Sequence, residues 1–482
     1  MTLRETIATS TLLALLAFEL SVLAILALFP YLVDPGLSVL NSNFYALLAP
    51  LSTVLLLGLL YAWPLKLIAR EARIRSTLFD RLILFLSEPF QKIMSSLKSA
   101  SLSETARNCK ILSRPRLMLA VSLVVSILLT FIPYRPDLNP SATLVGVDSP
   151  LYVGWIVQML IRPLSQALAY SFVEGLEGSR PLLLIPLYLV ASTGVSPSQL
   201  VEYLPMVLAP LLSLSTYIFV RYGQGSRGLA SLTALFCSVS FYTTVGLWGG
   251  YYANWLALIL AFLFMTVLLV YSKKTSRLGY AAIHVLSIGL FLTHPWTWGL
   301  VVTVSLAFAF SLWRETRKKV HLESVLGIIS GGVVLDVVKS WVFATRAVGV
   351  DVAGTFQTAG IVQLLNFWPN LVEALLYTHG GLIGNWLILG LGLLASSILR
   401  FRDWFERLLL LWIAVASIPF AVLDSYHQAR IVYDLPLPVL VSIAVVLFLP
   451  RVGSKSLRWP GIVIAFLVVT MTNYALQGII LL

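Results

Sequence analysis

Tyr252-Ala-Asn-Trp-Leu-Ala-Leu-Ile-Leu-Ala-Phe-Leu-Phe-Met-Thr-Val-Leu-Leu-Val-Tyr-Ser272-Lys273-Lys274 is the stretch on which the fold turns. Its apolar part is long enough to cross a hydrocarbon core of about 30 Å, which takes about 20 residues. Water is absent there, so the backbone must satisfy its own polar groups, and the run reads as a helix. It closes on two lysines. Loops on the cytosolic side carry an excess of Lys and Arg, so the Lys273 end faces inward and the Tyr252 end outward.

The same pattern repeats in both directions from this run. Apolar stretches suited to spans lie at 7–29, 44–68, 117–133, 199–220, 228–247, 252–272, 279–294, 296–313, 322–344, 382–399, 406–423, 435–450 and 460–481. With the N-terminus in the cytosol, 27 of the 33 basic residues fall inside and Lys339 lies within a span. Only Arg135, Arg162, Arg180, Arg346 and Arg430 fall outside. The expected fold is an all-α polytopic protein of the cell membrane with about 13 transmembrane helices and its C-terminus outside. Composition agrees: hydrophobic residues make up 59% and charged residues 11%, with a mean hydropathy of +0.91. A soluble chain carries about 25% charged residues.

The net charge of +12 is not a nucleic-acid signal, because the basic residues cap spans where they meet anionic headgroups and no aromatic-interleaved basic stripe exists. Cys109 and Cys237 have neither disulfide context nor metal-ligand spacing. Residues 1–68 read as an N-terminal transmembrane hairpin, its first run too long for a signal-peptide core. Residues 69–116 read as a basic cytosolic linker with an amphipathic centre around Leu78–Leu86, either lying on the inner leaflet or docking a partner. The main transmembrane domain is 117–482, with long outward loops at 134–198 and 345–381. Within the first, the apolar run 181–194 is expected to dip into the outer leaflet without crossing, since a crossing would invert every later loop against the charge rule.

Scarce outward charge marks where chemistry is expected. Gly146-Val-Asp148-Ser-Pro-Leu-Tyr152 places a carboxylate at the membrane surface. Asp148 either caps the helix that starts near Leu151 or accepts a proton from an attacking hydroxyl. Arg430 lies in an outward loop with Asp424, His427 and Asp434. It either pairs locally or meets phosphate through its planar fork. Trp248, Gly249-Gly250, Tyr251-Tyr252 and Asn254 form either an interfacial aromatic belt or a platform for a sugar, with Asn254 bonding its hydroxyls. His294, before Pro295 and between aromatic neighbours, is either a satisfied polar contact or a substrate ligand. Asp336 and Lys339 are one helical turn apart and can pair within the membrane.

The order of these features resembles the GT-C superfamily of polytopic glycosyltransferases over residues 114–482. The resemblance is carried by Asp148 followed by Pro150 and Tyr152, the Leu184-Ile-Pro186-Leu-Tyr188 run and Gly194–Pro205. It is also carried by Thr293-His294-Pro295-Trp296 and Ala429-Arg430-Ile-Val-Tyr-Asp-Leu-Pro436. It implies a GT-C-like fold and an inverting enzyme that moves a sugar from a polyprenyl-phosphate carrier to an acceptor at the outer face. Asp148 would be the catalytic base. Arg430, His294, Tyr152, Asn254, Trp248 and His427 would bind substrate. Many members add an acid in the second outward loop that helps to hold a metal, but residues 246–255 contain no carboxylate. No metal or other cofactor is therefore expected. Two other classes compete: a non-catalytic subunit of a membrane complex with this fold, and a secondary transporter. The halves of the chain show none of the repeat that many transporters carry.

Overall fold

The computed structural model describes residues 50–61, 114–173, 180–343, 365–377 and 386–452, with Ser21 and Val468 as single positions. Among them every regular element is helical. In chain order these are α1 (Pro50–Tyr61), α2 (Pro115–Phe131), α3 (Ser149–Leu160), α4 (Leu164–Val173), α5 (Pro181–Ala191) and α6 (Pro197–Gln224). Next come α7 (Arg227–Ser238), α8 (Phe241–Gly249), α9 (Tyr252–Lys273), α10 (Arg277–Phe291), α11 (Pro295–Thr316) and α12 (Val320–Phe343). The last are α13 (Phe367–Tyr377), α14 (Trp386–Ile398), α15 (Trp404–Phe420), α16 (Ser425–Tyr433) and α17 (Leu437–Val452). The expected spans at 7–29 and 460–481 lie outside the described residues, as does nearly all of the linker 69–116.

Local chemistry sets many of the boundaries. Proline opens α2, α5, α6 and α11, where its missing N–H is one the helix start could not have bonded anyway. Serine hydroxyls at Ser226, Ser240 and Ser276 accept first-turn amides. Ser240 divides the stretch expected as one span at 228–247 into α7 and α8. Gly225 and Gly250 close α6 and α8 in the left-handed region, at φ 74° and 68°.

By length and apolarity, six described helical stretches can cross a membrane: 115–134, 197–224, 227–249, 252–273, 295–316 and 320–343. A seventh follows if α16 and the first part of α17, bent by 49°, count as one broken span. The chain is a multi-pass helical membrane protein. The expected spans at 44–68, 279–294 and 382–399 hold shorter apolar helices in their described parts. The 15 residues of α10 rise about 22 Å, less than a hydrocarbon core of about 30 Å. Helix α5 has 11 residues and Pro186 inside it; at about 16 Å it cannot cross unaided.

The stretch 227–249 is buried throughout its apolar window and forms the centre, with α2, α6 and α17 packed on α7. Serine and threonine let these helices approach: Ser126 of α2 meets Ser213 of α6 at 3.3 Å, and the Ser231 hydroxyl donates to the Pro115 carbonyl at 2.7 Å. Helices α2 and α12 turn apolar faces outward, among them Val121, Val124 and Leu128, and Val334, Val338 and Trp341. In water such faces would be a liability; against lipid they cost nothing. Asp336 and Lys339 do pair on α12, at 3.6 Å, with the ammonium group also near the Phe291 ring.

Candidate functional site

Two glycines bring the first site residue into place. Gly146 has φ 105° and Gly250 φ 68°, conformations that L side chains rarely adopt. A Cβ on Gly146 would lie 2.5 Å from the Leu247 carbonyl oxygen, and one on Gly250 would lie 2.9 Å from the Ser149 amide nitrogen. Their bareness lets two backbone segments dock: the Val147 amide donates to the Trp248 carbonyl at 2.9 Å, and the Asp148 amide to the Gly249 carbonyl at 3.2 Å. Trp248 thus enters the site's frame through its backbone. Tyr252 and Ser149 fasten the same junction, hydroxyl to hydroxyl, at 2.8 Å.

Asp148 stands at the residue before α3, yet its side chain makes no capping hydrogen bond there. The carboxylate lies 4.0 Å from the Arg430 guanidinium instead. Burial raises its carboxyl above the ordinary carboxylate value, and the charges of Arg430 and Arg180 oppose that rise. Asp137, in the same loop, behaves oppositely. Arg135 donates to it at 2.9 Å and holds its carboxyl below the usual range.

Arg430 extends from α16 and is held on three sides. Its Nη1 donates to Asn254 Oδ1 at 3.1 Å and its Nη2 to the Tyr426 hydroxyl at 3.0 Å. Its plane sits 4.0 Å above the Tyr251 ring, a cation–π contact. Local pairing with Asp424 or Asp434 does not occur; among the described residues its ion-pair partner is Asp148. Asp424 is occupied by His427, whose Nδ1 lies 2.7 Å from its Oδ1 and whose amide donates to the same oxygen. The His427 ring packs on Trp296, with centroids 4.8 Å apart.

Asp434 is buried, and its side chain is joined to the Arg430 guanidinium by hydrogen bonds through a neutral amide. Asn254 Nδ2 donates to Asp434 Oδ1 at 2.9 Å, and the Thr297 hydroxyl to Oδ2 at 2.9 Å. His294 Nδ1 stands 2.9 Å from that hydroxyl and accepts the Thr297 amide, capping α11. On the other flank, the Tyr152 hydroxyl accepts the Ala253 amide at 3.2 Å and Arg180 Nη1 at 3.0 Å. The Arg180 guanidinium also lies 5.7 Å from the Trp155 ring centre.

Asp148, Arg430, Asn254, Tyr152, His294, His427 and the Trp248 backbone therefore share one neighbourhood built from five parts of the chain. Sequence reading did not place Thr297 or Tyr426 among the site residues, and it offered Tyr251 as part of a sugar platform, not as the ring beneath Arg430. It noted Arg180 as a rare outward cation and Asp434 as a neighbour of Arg430, without assigning either a place in the site. The arrangement offers a carboxylate able to take a proton, a fixed guanidinium able to hold an anion, and aromatic rings beside both. Comparison with protein-family models, curated proteins and solved structures found no match to this chain.

Proposed function

We propose that the chain is an inverting glycosyltransferase of GT-C type, moving a sugar from a polyprenyl-phosphate carrier to an acceptor hydroxyl at the outer face of the membrane. The observation that carries this reading is the Asp148 carboxylate, left free of capping and 4.0 Å from Arg430. In the reaction the acceptor oxygen bonds to the anomeric carbon as its proton passes to Asp148. The bond from that carbon to the phosphate oxygen breaks, and the electron pair leaves with the carrier phosphate, which gains one negative charge. Arg430 meets that charge. One displacement from the opposite face inverts the carbon. The separation of Asp148 and Arg430 exceeds hydrogen-bond length, so a sugar can part them while Asn254 and Tyr426 keep hold of the guanidinium.

The reading includes a thirteen-span topology with the N-terminus inside and 134–198 outside. Labelling of Ser141→Cys from outside intact cells supports it; labelling of Ser103→Cys from outside reverses it. Transfer by purified protein from polyprenyl-phosphate sugars tests the chemistry. Arg430→Ala weakens capture of the carrier, losing charge-assisted bonds worth about 1.5–3 kcal/mol. Chelation leaves transfer intact, because residues 246–255 supply no carboxylate to complete a divalent site. That same lack favours the second reading, a non-catalytic subunit, which inactivity with every donor would select.

A further inference from the structure

The buried end of the network does something that a local ion pair would not. Asp434 and Asn254 are both almost inaccessible, at 4% and 1% exposure. A carboxylate so deep needs compensation, and the obvious partner, Arg430, is on the preceding turn of the same segment. Yet its two oxygens are taken by neutral donors, the Asn254 amide and the Thr297 hydroxyl. The amide oxygen of Asn254 then faces Arg430. An amide has one donating and one accepting end, so the carboxylate on one side dictates which end the guanidinium meets. A direct Arg430–Asp434 pair would spend the cation's charge on a fixed partner. With the amide between them the guanidinium is aimed while its charge stays available to an anion.

We propose that Asn254 and Asp434 are positioning residues that fix the Arg430 guanidinium as a ligand for a lipid-borne phosphate. The ligand rests on the proposed function; the positioning does not. Asn254→Asp sets two carboxylates against each other and breaks the relay. Adding Asp434→Asn rebuilds it with the roles exchanged: the new amide donates to the new carboxylate and accepts the Thr297 hydroxyl.

Two measurements on the purified full chain test this. Modification of Arg430 by phenylglyoxal, followed by mass spectrometry with the other arginines as internal reference, reports how firmly the guanidinium is held without any ligand. Binding of polyprenyl monophosphate reports its use. Asn254→Asp speeds modification several-fold and weakens binding about tenfold or more; the double variant returns the reactivity to within about twofold of the parent but leaves binding weak, because the carboxylate at position 254 then pairs with the cation directly. Asn254→Ala, which removes the relay without adding charge, shows the same two losses and serves if Asn254→Asp fails to fold. Unchanged Arg430 reactivity in folded Asn254→Ala overturns the positioning, as does a folded double variant that stays as reactive as Asn254→Asp. Tight polyprenyl phosphate binding by Arg430→Ala, or none by the parent, overturns the assigned ligand and leaves the reactivity result to judge the relay alone.

Discussion

Asp403 and Asp148 occupy the same kind of position, each the residue before a helix, and use it in opposite ways. Asp403 has an extended backbone, ψ 133°, and its side chain accepts the amides of Phe405 and Glu406. Asp148 has ψ −6°, a helical value, and its side chain accepts none. The difference originates outside the helices themselves. Asp403 meets a distant part of the chain through its side chain, which accepts the Gln224 side-chain amide at 3.4 Å as well as the cap amides. Residues 146–149 are instead pinned by their backbone to 248–250 through two glycines, and that sets the Asp148 backbone. A carboxylate that could have stabilised its own helix is thereby released toward Arg430. Asp424 repeats the Asp403 pattern, capping α16 and holding His427. The same residue type at the same helical position is structural twice and available once.

Exchanging the charge at Asp148 is the largest way to break this contrast. Asp148→Asn lowers transfer by about 10²–10⁴-fold, the usual contribution of a general base, with melting temperature nearly unchanged because no cap is lost. A folded variant with full transfer removes the base assignment.

The glycines come next. Gly250→Ala places a methyl group about 3 Å from the Asp148 and Ser149 amides, where backbone must give way. Gly225→Ala meets nothing within 4 Å and bears only the left-handed strain, worth roughly 1–2 kcal/mol. Both variants lose stability, but Gly250→Ala alone loses transfer, by about tenfold or more if a shift near 1 Å is as costly here as in other active sites. Equal activity in the two would mean that docking of 146–149 does not aim Asp148.

The parts of this that were legible beforehand are those that leave a mark in composition. Asp148 and Arg430 stood out because charge is rare in the loops expected to face outward, and the long apolar stretches 117–133, 199–220 and 252–272 announced their helices. That the two meet across 282 residues of chain left no such mark in composition alone; it was expected from their places in the order of motifs that carries the resemblance. The relay from Asp434 through Asn254 left none either, since a neutral amide between two charges has no characteristic spacing. Ser240 shows the limit for helices: its hydroxyl breaks 228–247 by bonding the Tyr242 amide, while the residues on both sides stay apolar enough to read as one span. Hydropathy reports burial along a line, and a turn inside a buried line is invisible to it.

Asp403→Ala tests the other side of the comparison. It removes two cap hydrogen bonds and costs about 1 kcal/mol of stability, with transfer per folded molecule unchanged. A selective loss of transfer would mean that the Asp403 end communicates with the site.

The finest test is of pH. Burial raises the Asp148 carboxyl above its ordinary value, against the pull of Arg430 and Arg180. A base must be deprotonated to work, so transfer rises with pH through that raised value. Arg180→Gln removes one of the two charges that stabilise the anion and keeps an amide to donate to the Tyr152 hydroxyl. The proton is then held more tightly, and the acid limb moves to higher pH while the plateau rate stays the same. Arg430 would report the same electrostatics, but its loss also disturbs phosphate capture, so Arg180 is the cleaner probe. A limb that stays in place would show that Asp148 does not feel Arg180. A limb moving to lower pH would mean that the substitution rearranged the site, because in an unchanged structure losing a neighbouring positive charge raises the proton affinity of a carboxylate and of a cationic acid alike.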